Sequence, residues 1–223
     1  MTLPESNPVV LIHGDVLIDR RALSEALPNA WAAVLAEQEG GPLEVWQSAT
    51  AQVASDWDSY WEDLDLSGDD SLAQWREGRW RIVRAWFRLA GQAVPPTSRL
   101  SALLDELPRK VGRRLDAWRN GALEALHGLA AAGIAARIIE PFAPGSLVRG
   151  MLDTAKLTVP VAGPDDLGQV GLEGLDCARL AARIGCDPAR CRFVSARPLP
   201  GLPTLSPPDD LSRLAEWLCE EIP

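Results

Sequence analysis

Pro8-Val9-Val10-Leu11-Ile12-His13-Gly14-Asp15-Val16-Leu17-Ile18-Asp19 is the stretch from which the rest of the chain is read. The aliphatic run Val9 to Ile12 has no polar interruption, as expected of a strand covered on both faces in the middle of a parallel sheet. His13, Gly14 and Asp15 end it in a tight polar turn, and Val16-Leu17-Ile18 leads the chain away. In open α/β sheets ligands bind at the carboxyl ends of the strands, which makes His13 and Asp15 the first candidate site residues. A histidine there equally serves as a satisfied turn residue.

After Arg20 the apolar spacing becomes helical. Leu23, Leu27, Ala30, Trp31 and Val34 share one face of a helix that Gly40-Gly41-Pro42 ends. Further helices are expected over about 48–64, 71–90 and 98–118, with Pro108 kinking or breaking the last. Seven of the nine tryptophans lie here: Trp31, Trp46, Trp57, Trp61, Trp75, Trp80 and Trp86. At helical spacing they read as the filling of a four-helix bundle, with a tryptophan-lined apolar pocket as the second reading. Asp56, Asp58, Glu62, Asp63, Asp65, Asp69 and Asp70 lack the alternation and central glycine of a calcium loop, so they read as a solvated face.

From Asn120 onward helices and strands alternate. Helices are expected over 122–132, 146–157, 173–184 and 209–221, and strands over 134–139, 158–161 and 192–194. That alternation implies a parallel sheet wound by right-handed crossovers. The fold class is therefore α/β, a doubly wound parallel sheet with a Rossmann-type core (residues 1–19 and 110–223) and an inserted all-helical segment (residues 20–109).

Composition narrows the partners. The 223 residues carry a net charge of −9, which argues against a nucleic-acid backbone or an anionic membrane as partner. No apolar run reaches the about 20 residues of a membrane span, and Met1 to Ser6 lacks a signal-peptide pattern, so a cytoplasmic location is expected. Cys177, Cys186, Cys191 and Cys219 lack a zinc-site spacing and are read as free structural thiols.

The wording VVLIHGDVLID resembles the first motif of the haloacid dehalogenase-like (HAD) hydrolases, in which an apolar strand ends in Asp-x-Asp-Gly-Thr/Val-Leu. Residues 120–139, NGALEALHGLAAAGIAARII, resemble the approach to that family's second motif, and residues 184–194, IGCDPARCRFV, the approach to its fourth. One strand, about ninety helical residues and then βα units is the layout of members with a C1-type helical cap. The resemblance implies their fold, but the reactive positions differ. Aligned on Val16 to Asp19, Ile12 stands at the nucleophilic aspartate, Gly14 at the acid/base aspartate and Asp15 at the motif glycine. The second-motif Ser/Thr becomes Glu140. The third-motif lysine falls at or near Gly171, with Lys156 the only other lysine in this half, and the magnesium-holding acid falls at Ser195-Ala196. Arg197 to Pro203 replaces a family helix.

The family's displacement chemistry needs a carboxylate nucleophile, a magnesium ion in its phosphatases and a lysine that steadies the charge. Two expectations follow. The first is a catalytically silent HAD-like protein, without cofactor, kept as a binding or regulatory module for a protein partner, a small molecule or a second copy of itself. The alternative is a HAD-family hydrolase with a relocated site at Asp15, His13 and Glu140, using Mg2+.

Overall fold

The computed structural model describes residues 9–196 and 204–221. Strand β1 (Val9–His13) passes into one helical turn, α1 (Gly14–Leu17), and then into four helices: α2 (Arg20–Glu39), α3 (Leu43–Ser55), α4 (Ser71–Leu89) and α5 (Thr97–Gly112). The remainder alternates: α6 (Ala122–Ala131), β2 (Ala135–Ile139), α7 (Gly145–Thr154), β3 (Val161–Ala162), α8 (Pro164–Leu167), α9 (Cys177–Ile184), β4 (Cys191–Val194), β5 (Thr204–Leu205) and α10 (Leu214–Glu221). The five strands form one parallel sheet in the order β3-β2-β1-β4-β5. Helices α2 to α5 are inserted directly after the first strand, between β1 and its neighbour β2.

β1 is central and buried on both faces, as its unbroken aliphatic run implies. Val10 and Ile12 join a core that continues through the inserted helices to Trp46, Trp86 and Leu100. Leu11 points the other way, into a second cluster with Leu167, Leu180 and Phe193. In the register His13 lies opposite Ile139 and Ile12 opposite Val194. The ends of three strands are thereby level, and the residues that follow them, Glu140 and Ser195, come to one edge.

The inserted helices are fastened to the sheet layer on two sides. At the crossing of α5 and α7, Gly112 and Gly150 face each other's backbones. A Cβ at Gly112 would collide with the Leu147 carbonyl oxygen, and one at Gly150 with that of Arg109. Arg109 and Arg113 donate to Asp153 beside this crossing, each at 2.9 Å. On the other side Trp75 Nε1 donates to the Phe142 carbonyl at 3.2 Å, and Arg76 pairs with Asp165 at 2.5 Å.

Several expected boundaries move. α3 covers Leu43–Ser55 rather than 48–64, because it starts directly behind Pro42, and Trp57–Tyr60 forms a separate 3-10 turn. α5 runs through Pro108 without a break. Proline removes the N–H that would bond the Leu104 carbonyl, and Arg79 Nη2 donates to that carbonyl at 2.7 Å instead. β3 is only Val161–Ala162, and α9 begins at Cys177, capped by Asp176. The closing helix begins at Leu214 rather than at 209, after a 3-10 turn capped by Asp210. Arg197 to Pro203, read as a replaced family helix, lie outside the described residues. The four thiols are free, and every member of the acidic run is exposed, Asp63 pairing with Arg81. No helix among the described residues is long and apolar enough to cross a membrane.

Candidate active site

The positions matched to the family motifs converge on the carboxyl edge of the sheet. Ile12, the position at which the resemblance expects a nucleophile, is fully buried and offers only hydrocarbon. His13 Nδ1 and Asp15 Oδ1 approach to 2.5 Å, while the His13 ring meets Phe193 edge-on at 6.2 Å. Burial works to raise the Asp15 carboxyl, but the bond to His13 and its charge, the Ala196 backbone N–H and Arg20 together hold it below the usual carboxylate range. The segment after β4 therefore reaches the site through its backbone, and Ala196 brings no acid.

Glu140 is the site's second carboxylate, and its side chain is wholly buried. Oε2 accepts from Arg20 Nη2 at 2.7 Å, and Oε1 accepts from the backbone N–H groups of Phe142 (3.3 Å) and Ala143 (3.2 Å). A guanidinium and two main-chain donors converging in this way is a typical cradle for an oxyanion. Here the chain's own carboxylate fills it. The same Oε2 occupies the space into which a side chain at position 14 would project, since a Cβ on Gly14 would collide with it.

The third-motif segment also comes to this edge, without a lysine. Gly171 N–H donates to the Pro141 carbonyl at 3.0 Å, in a left-handed turn with φ of +78°. Lys156 follows α7 at the opposite, amino end of the strands. The donor set does not fit the family's magnesium, which needs converging oxygen ligands. Ile12, Gly14 and Ala196 supply no side-chain oxygen, Asp15 is paired with His13, and Glu140 is paired with Arg20. Among the described residues no group of three His, Cys, Asp or Glu is placed to hold a metal.

Of the residues singled out from sequence, the structure pairs His13 with Asp15 and gives Glu140 a different partner, Arg20, which the sequence reading missed. A signal was present. Arg20 and Arg21 open α2, where the helix dipole disfavours cations, so a carboxylate partner is implied. The second reading of the tryptophans also has substance. Beside Arg20 lies a pocket of about 320 Å3, and next to it one of about 160 Å3, with Leu23, Leu27, Trp31, Trp57 and Trp86 lining both.

No family model and no curated protein matches the chain. Among solved structures it is similar to a HAD family hydrolase from Deinococcus radiodurans R1 with bound phosphate and sodium, at 20% identity over 93% of this chain and 88% of that one, TM-score 0.38. It is also similar to a dehalogenase in an intermediate complex, at 16% identity over 93% and 90%, TM-score 0.46. A third is a phosphonoacetaldehyde hydrolase-like protein from Oleispira antarctica, at 17% identity over 93% and 76%, TM-score 0.41.

Proposed function

We propose that this chain is a HAD-like protein that does not carry out the family's hydrolysis and serves as a binding module. The observation that carries this reading is the Glu140 carboxylate, seated among Arg20, Phe142 N–H and Ala143 N–H and filling the room of a side chain at position 14. An external phosphate or carboxylate would have to displace a tethered anion from every one of those donors. Were it to do so, Ile12 would still present no atom able to attack it.

The relocated-site reading asks His13, Asp15 and Glu140 to act on one substrate. Glu140 is held by Arg20 and two backbone N–H groups rather than by the His13–Asp15 pair, so that reading is not favoured. Purified protein incubated with Mg2+ and either p-nitrophenyl phosphate or 2-chloropropionate is expected to show no turnover above buffer. Turnover that disappears in Asp15→Asn would overturn the proposal and restore the hydrolase.

A further inference from the structure

The paired pockets beside Arg20 combine features that define a ligand class. Their walls are mostly indole and aliphatic carbon. The charged and hydroxyl groups among them are already engaged. Arg20 donates to Glu140; Arg79 donates to the Leu104 carbonyl and lies 4.4 Å over the Trp75 ring; and Thr50 Oγ1 donates to the Trp46 carbonyl at 3.0 Å. An anion would find no uncommitted cation here, and an amine would find no carboxylate. Two aromatic rings on the linings are nevertheless exposed, Trp57 at 43% and Phe142 at 58%, an arrangement that gains when a further apolar body covers it.

Two indole nitrogens add a polar requirement. Trp86 lines both pockets and Trp61 the smaller one, and the Nε1 of each is buried without an acceptor. Buried tryptophan N–H groups usually have a partner, and one left without is destabilising. Trp86 contributes wall to both pockets, so its N–H is the lining donor that still lacks an acceptor on the larger pocket.

We propose that this tryptophan-lined cleft binds a neutral aromatic or alicyclic molecule, one or two rings in size, that carries a carbonyl or ether oxygen for Trp86 Nε1. The inference rests on the binding-module reading and names the ligand class of that module. Matched naphthalenes test it by isothermal titration calorimetry on the full chain: 2-acetonaphthone, which has the acceptor; 2-ethylnaphthalene, which lacks it; and 2-naphthoate, which is charged. The ketone is expected to bind saturably, the hydrocarbon about fivefold more weakly, as befits one hydrogen bond, and the carboxylate more weakly still. Ala54→Trp, an exposed lining position, is expected to block the larger pocket and cut ketone affinity at least tenfold with an unchanged unfolding temperature. Trp86→Phe is expected to erase the ketone's advantage over the hydrocarbon while retaining the apolar wall. Naphthoate binding as tightly as the ketone, saturable binding by none of the three, or ketone binding that survives both substitutions would overturn the proposal. Turnover of p-nitrophenyl phosphate by the same preparation, with ketone binding intact, would overturn the silent reading alone.

Discussion

Glu140 and Gly14, 126 positions apart in the chain, share one volume: the Glu140 carboxylate stands where the side chain of residue 14 would go. The two identities are therefore coupled. Gly14→Ala is expected to cost about 1–3 kcal/mol, as overpacking against a fixed buried group does, and most of that cost should vanish in a Glu140→Ala background. Urea unfolding of the native chain, the two single variants and the double variant measures the coupling, and strictly additive losses would refute it.

Glu140 also holds three donors that suit an oxyanion. Glu140→Ala should lower stability by about 2–3 kcal/mol, less than for a fully enclosed pair because Arg20 is partly solvated. It should at the same time create a site for inorganic phosphate. The unfolding temperature of the variant is expected to rise in phosphate relative to chloride at matched ionic strength, while that of the native chain stays level. A native chain that phosphate protects equally would remove the basis of this expectation.

The joint between α5 and α7 should be sensitive to acid. Hydrogen bonding from Arg109, against a smaller desolvation effect, and further bonding from Arg113 hold the Asp153 carboxyl down at about 2. Because the folded value lies below the ordinary 3.8, the contribution is complete above pH 3.8 and is lost as pH falls toward 2. After allowance for solvent screening, Asp153→Asn is expected to cost about 1 kcal/mol at pH 7. The gap between variant and native chain should close near pH 2, as read from denaturant midpoints across the range.

Backbone contact at the same joint leaves no room for a methyl group. Gly112→Ala and Gly150→Ala are each expected to destabilise by about 3 kcal/mol, since the atoms in the way are carbonyl oxygens that cannot rotate aside. Gly128→Ala, where the nearest atom is the Ala215 methyl at 3.3 Å, should be near neutral or slightly stabilising because alanine favours the helix. Thermal unfolding of the three variants separates these outcomes.

Much of the fold is legible in local pattern. The run Val9–Ile12 identifies the central strand, and the change from helical spacing to βα alternation near Asn120 marks where the inserted helices end. The bounds of Leu43–Ser55 are less legible, because Trp57, Tyr60 and Trp61 continue an apolar pattern that the chain folds as a 3-10 turn and the residue after it. What composition and spacing do not carry is the pairing of distant groups. Glu140 reads in isolation as a repulsive carboxylate, and its Arg20 partner and its claim on the space at Gly14 emerge only when the ends of β1 and β2 come level.

The bond from Arg79 to the carbonyl left over at Pro108 carries a last implication. It reads no side chain at position 104, so that residue is free to vary within the limits of packing. Arg79 and Pro108, by contrast, are tied to one another without touching: the ring deprives a main-chain oxygen of its usual donor, and the arginine one helix away restores it. Homologues that replace one member should replace the other, leaving a correlated pair whose cause is an atom belonging to neither.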